Sequence, residues 1–135
     1  MNHAELIIDE ARTWLGTPFK HQGRVKGRGV DCAGLIVGVA KALDIEDYTF
    51  TGYGREPNKG MLESEIAKYC IPMPKPMPGC ILVFRFAYEP QHLAIYTDQN
   101  TIIHAYQKAR KCIEHRLDDK WRNRLVSCWG YKWPS

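Results

Sequence analysis

A chain of 135 residues, 44% hydrophobic and 25% charged, has the size and composition of one domain with an ordinary core, and we read residues 1–135 as a single domain. The net charge of +4 is too mild to require a polyanionic partner. No apolar run approaches the roughly 18 residues of a membrane-spanning helix, and the five cysteines lack C-x-x-C spacing, so no disulfide framework, structural metal or cofactor is expected.

The N-terminal stretch MNHAELIIDEARTWLG carries acids where a signal peptide would be basic, so the chain is expected to be made in the cytoplasm without an export signal. Residues 4–15 read as a helix, with Leu6, Ile7, Ala11, Trp14 and Leu15 on one stripe, ended by Gly16 and Pro18. KHQGRVKGRG, residues 20–29, is a Gly-rich basic loop. A second helix follows, with Leu35, Ile36, Val39, Ala40 and Leu43 on its apolar face. Residues 44–60 read as loop, 61–70 as a short helix, and the proline-alternating 71–79 as an extended linker. Beyond Gly79 come CILVFRFAY, HLAIYT, TIIHAY, CIEHRL and LVSCWGY, short runs rich in β-branched and aromatic residues. Helices first and about five antiparallel strands after them make an α+β domain.

Asp31 and Cys32 stand where the second helix starts. Asp31 suits the N-cap, which makes Cys32 the first helical residue. There a thiolate meets unpaired backbone N–H groups and the positive end of the helix dipole, both of which lower a thiol pKa. The same N–H groups can stabilise an oxyanion on an attacked carbonyl. Ala33 and Gly34 leave room for a substrate to approach. The plainer alternative is a small buried residue on the core face of the helix, since free cysteine is among the most buried residue types.

Of the five histidines, His3 lies near the terminus, His21 in the basic loop and His115 in a run of mixed polarity. His92 and His104 sit in apolar runs either side of one short turn. A two-residue loop would put them on opposite faces of the hairpin. A three-residue loop, Asp98-Gln99-Asn100, pairs Thr97 with Thr101 and Ala94 with His104, so the two histidines share a face. Asn100 tolerates the left-handed conformation that the longer turn needs in its last residue. Shared-face histidines suit a base, His92, oriented by a polar partner, His104; the alternative is two satisfied strand histidines.

Asp31-Cys32-Ala33-Gly34-Leu35, Pro78-Gly79 before Leu82-Val83-Phe84, His92-Leu93-Ala94-Ile95-Tyr96 and Ile103-His104-Ala105 together resemble the NlpC family of papain-like cell-wall cysteine peptidases. Gly16-Thr17-Pro18-Phe19 resembles the segment that precedes the family's nucleophile. The resemblance spans roughly residues 4 to 106. It implies a papain-like fold, with Cys32 as nucleophile, His92 as general base and His104 as orienting residue. It also implies cleavage of peptidoglycan stem peptides, commonly between γ-D-glutamyl and the diamino acid. The bare domain looks most like the phage-tail members, which implies tail-tip proteins as partners and a virion location. Two departures stand out. Phe19 replaces the family's usual tyrosine, and Cys80 the acid of a Pro-Gly-Asp turn.

Two other readings come from other classes. One is a structural tail component that keeps the fold and little activity. The other is a nucleic-acid binder using Lys20, Arg24, Lys26 and Arg28, or Lys120, Arg122 and Arg124 beside Trp121, Trp129 and Trp133. Solvated basic loops over core tryptophans account for that second pattern more simply, so neither nucleic acid nor membrane is expected as a partner.

Overall fold

A computed structural model describes residues 2–45, 61–86 and 89–133. Helix α1 spans His3–Arg12, with the Asn2 side chain accepting from the Glu5 N–H at 2.8 Å as N-cap. The helix stops earlier than the apolar stripe suggested. A turn over 13–16 carries Trp14 into the core but leaves Leu15 40% exposed, and Ile8 is buried in its place.

The basic loop is a small hairpin, β1 (Arg24–Val25) against β2 (Gly29–Val30), which feeds directly into α2 (Cys32–Ala42). Because α2 is buried nearly all round at Ala33, Gly34, Leu35, Ile36, Val37, Val39 and Ala40, it is the central helix rather than a one-sided surface helix. Helix α3 covers Met61–Tyr69. Beyond Ile45, the loop expected over 44–60 lies outside the described residues.

Among the described residues the main sheet has six strands rather than about five. They are β3 (Cys70–Met73), β4 (Ile81–Phe86), β5 (Glu89–Tyr96), β6 (Thr101–Tyr106), β7 (Lys111–Arg116) and β8 (Leu125–Tyr131), in the antiparallel order β3-β8-β4-β5-β6-β7. The extra strand comes from the proline-rich segment read as linker. Proline cannot donate to a ladder but is tolerated on an edge strand, and β3 is an edge strand paired only to β8. A short helix α4 (Asp119–Arg122), capped by Asp118, precedes β8.

The sheet buries both faces. On one side Ile81, Val83, Leu93, Ile95, Ile103 and Ala105 pack with α1, α2 and Ile66 of α3. On the other, Leu82, Phe84, Ala94 and Ile102 pack with Leu117 and Trp121. Alternation along the strands assigns these side chains to the two layers. The buried Tyr131 hydroxyl donates to the Ile36 carbonyl at 2.8 Å, tying β8 to α2. The α+β arrangement expected from the sequence is present.

Candidate active site

The β1–β2 hairpin and the Asp31 carboxylate together fix the start of α2. Asp31 accepts from the Gly34 N–H and from the Gln22 N–H, both at 2.7 Å, so one side chain caps the helix and pins the loop before it. Gly34 is required by close approach: a Cβ there would come within 2.0 Å of the Gly23 carbonyl oxygen.

Cys32 is the first helical residue and half-buried, whereas Cys70, Cys80, Cys112 and Cys128 are buried. The backbone of Leu93 in β5 and of Ala33 and Cys32 at the helix start favours the thiolate. These groups draw the thiol down, as the helix-start argument expects. The opposing effects win: burial first, and then the adjacent Asp31 carboxylate, push the Cys32 thiol up to about 12. The resting residue is therefore a neutral thiol, contrary to the depressed value expected from the helix dipole. The sequence shows the dipole but hides the depth of the sulfur.

The hairpin argument for the histidines holds. Thr97 N–H donates to the Thr101 carbonyl at 3.0 Å, Asn100 is left-handed at φ 58°, and Ile95 pairs Ile103. His92 and His104 share a face, with His92 Nε2 2.6 Å from His104 Nδ1. Both are buried, and burial holds both imidazoles well below their ordinary value, so both are neutral. Aromatic side chains wall the pair: Phe86 stacks on His92 at 5.2 Å between centroids, and Trp121 meets His104 edge-on at 4.9 Å.

Cys32 and His92 approach the sheet from opposite sides. Leu93, which faces α2, offers its backbone to the Cys32 sulfur, while the neighbouring His92 ring lies in the aromatic layer behind the strand. Among the described residues no hydrogen bond joins the thiol to the His92 ring. The β5–β6 ladder contains only Ile95–Ile103 and Tyr96–Ile102, so it has ended before Leu93 and His92 are reached.

One residue of the cluster was passed over in the sequence. His115 Nε2 lies 2.8 Å from His104 Nε2, and His115 Nδ1 lies 2.9 Å from the Arg116 carbonyl oxygen. Its face depends on the β6–β7 connection, which uses a 3-10 turn at Gln107–Ala109 and a left-handed Arg110 at φ 65°. Arginine gives no sign of that conformation, so parity across this turn could not be counted.

Phe19 is partly buried against the core, and its N–H donates to the Arg110 carbonyl at 2.8 Å. At the other departure from the family pattern, the Cys80 sulfur accepts from the Met77 N–H at 3.3 Å, filling the place of a turn carboxylate. In the C-terminal third, Trp121 is buried, with the Arg124 guanidinium 5.3 Å over its ring. Among the described residues no group of three or more His, Cys, Asp or Glu side chains is arranged to hold a metal ion, and no helix is long and apolar enough to cross a membrane.

The fold has many solved counterparts. A lipoprotein-like NLP/P60 family protein from Staphylococcus aureus is 22% identical with a TM-score of 0.67, over 96% of this chain and 41% of that one. The NlpC/p60 domain of the peptidoglycan hydrolase SagA is 22% identical with a TM-score of 0.64, over 96% of this chain and 99% of that one. NlpC2 from Trichomonas vaginalis is 18% identical with a TM-score of 0.74, over 99% of this chain and 48% of that one. This chain thus spans less than half of the staphylococcal and trichomonad proteins, but nearly all of the SagA domain. No curated protein sequence matches it. The family model of NlpC/P60 matches from residue 16, just before the hairpin that delivers Cys32, to residue 130, near the end of the last strand, and on that extent the chain belongs to the NlpC/P60 family.

Proposed function

We propose that the protein is a cysteine endopeptidase that hydrolyses peptide bonds in peptidoglycan stem peptides. The observation that carries the reading is the seat of Cys32: a half-buried thiol at a helix start, with backbone groups of the helix start and of Leu93 favouring its thiolate, against the strand that bears His92. One of the proteins of the same fold, SagA, is a peptidoglycan hydrolase.

In the reaction, His92 Nδ1 takes the Cys32 proton as the sulfur attacks the amide carbonyl, giving a tetrahedral oxyanion stabilised by helix-start N–H groups. The proton passes from His92 to the leaving amine as the C–N bond breaks, leaving a thioester. Water, deprotonated by His92, then attacks the thioester; the acid is released and the thiol regains its proton. Because the resting thiol and imidazole are both neutral, proton transfer accompanies attack instead of preceding it. A resting hydrogen bond between base and nucleophile is not required, since such bonds commonly tighten only with substrate bound.

The test is mass spectrometry of purified peptidoglycan fragments incubated with the protein. New amine and acid termini within stem peptides are expected, lost in Cys32→Ser, abolished by iodoacetamide and preserved in EDTA. Intact fragments at every protein concentration overturn the reading and favour a structural component that keeps the fold, an alternative suggested by the missing hydroxyl at Phe19. Placement in a phage tail tip is a further part of the proposal, with a test of its own. Purified virions should then contain this chain, and virions carrying Cys32→Ser should adsorb normally but inject poorly. Its absence from virions ends that placement while leaving the peptidase reading intact.

A further inference from the structure

Three imidazoles and one backbone carbonyl stand in a row: His92, His104, His115 and the oxygen of Arg116, with successive separations of 2.6, 2.8 and 2.9 Å. Each neutral imidazole has one N–H and one lone pair, so every link needs a donor facing an acceptor. A carbonyl oxygen can only accept, and that end of the row fixes the rest. With one hydrogen on the ring, that of His115 sits on Nδ1, which leaves its Nε2 as an acceptor. His104 must then donate from Nε2 and accept at Nδ1. His92 in turn must donate from Nε2, and its Nδ1 is left with the lone pair.

We propose that His115 is a positioning residue that sets the tautomer of His92 through His104, keeping the His92 Nδ1 lone pair available. The catalytic consequence rests on the reading of His92 as general base; the tautomer assignment does not. The Arg116 carbonyl is itself held in place, since it also accepts from the Asp118 N–H at 3.0 Å. The aromatic walls hold the ring planes: Trp121 lies 5.5 Å from His115 and 4.9 Å from His104, and Tyr106 stacks on His104 at 5.2 Å. An orienting residue that is itself a histidine has a weakness that an amide lacks: it presents the same two nitrogens in either tautomer. Without a third group beyond it, His104 could equally donate from Nδ1, and His92 would then carry its hydrogen on Nδ1 and be useless as a base there. His115 removes that choice.

Imidazole nitrogen shifts from protein labelled with ¹⁵N-histidine report the tautomers directly, without any need for turnover. In the wild type, His92 and His104 are expected as Nε2–H and His115 as Nδ1–H. His115→Gln keeps the polarity, because its amide oxygen can accept from His104 while its NH2 donates to the Arg116 carbonyl. His115→Leu removes the acceptor, so His104 and His92 should show mixed tautomers. Peptidoglycan turnover should fall in kcat by roughly tenfold with KM little changed, a loss of the size seen when outer partners of functional histidines are removed. His115→Gln should restore most of it. A wild-type His92 with its hydrogen on Nδ1 overturns the proposal. So does an unchanged His92 tautomer in His115→Leu, or equal kcat losses in His115→Leu and His115→Gln. The expected tautomers in a protein that cleaves no peptidoglycan support the relay and count against the peptidase reading alone.

Discussion

Cys32 carries opposing influences that can be separated one at a time. The nearby backbone groups favour the thiolate, while burial and the Asp31 carboxylate favour the thiol, and the latter pair dominate. With the value pushed up to about 12, iodoacetamide should label Cys32 more slowly at neutral pH than an ordinary free thiol. The rate should still be climbing above pH ~9, where an ordinary thiol of pKa about 8.5 is levelling off. A rate that levels off below pH ~8 would show that the helix start outweighs burial after all. Asp31→Asn removes the nearby negative charge and should speed labelling. It should also cost about 1 kcal/mol of stability, because one amide cannot serve both the Gly34 and Gln22 N–H groups with carboxylate oxygens. At His104, asparagine or glutamine should keep more turnover than alanine, since an amide can still accept from His92 Nε2. Equal losses in all three variants would mean that a hydrogen bond to His92 is not what His104 supplies.

At the level of elements, what could be read from the chain depended on whether local residue chemistry decided the geometry. The cap at Asp31, the helix beginning at Cys32 and the turn ending in left-handed Asn100 were all legible, because each residue type has a specific backbone role. The β6–β7 turn and the β3 edge strand were not. One depends on a left-handed arginine, the other on tertiary pairing that overrides a proline-rich local pattern. Depth was also illegible, and depth is what reverses the direction of the Cys32 shift.

Two elements invite direct tests. Gly34→Ala would drive a methyl into the Gly23 carbonyl and push the β1–β2 hairpin off α2; thermal denaturation should show a loss of about 2 kcal/mol, together with loss of turnover. Glu114 of β7 accepts from Arg12 of α1 at 3.2 and 3.1 Å and from the Thr101 hydroxyl at 2.7 Å. Burial works to raise its carboxyl, but these bonds hold it below its ordinary 4.5. A carboxyl lowered on folding stabilises the protein above that ordinary value and loses the contribution as pH falls through the folded one. Melting temperature should therefore drop more steeply between roughly pH 5 and 3 in the wild type than in Glu114→Gln.

Across the whole molecule, the sheet is a partition between two chemistries. Helices and Cys32 lie on one side; the imidazole row and its aromatic walls lie on the other.

The two margins of the sheet have a consequence of their own. On β3 the outward edge includes Pro72, beside an Ile71 that is 49% exposed. On β7 the free edge is occupied by residues 16–19, where Gly16 N–H donates to the Cys112 carbonyl at 2.9 Å, Cys112 N–H donates to the Thr17 carbonyl at 2.8 Å, and Pro18 bridges Lys111. That segment is covered in turn, since the Val30 N–H donates to the Pro18 carbonyl and the Lys20 N–H to the Val30 carbonyl, both at 3.0 Å. A strand from a second molecule finds one border already paired and the other interrupted by a ring nitrogen with no hydrogen to give, which discourages the stacking of sheets into fibres. Pro72→Thr would restore that donor, and light scattering during concentration should then rise well above that of the parent chain.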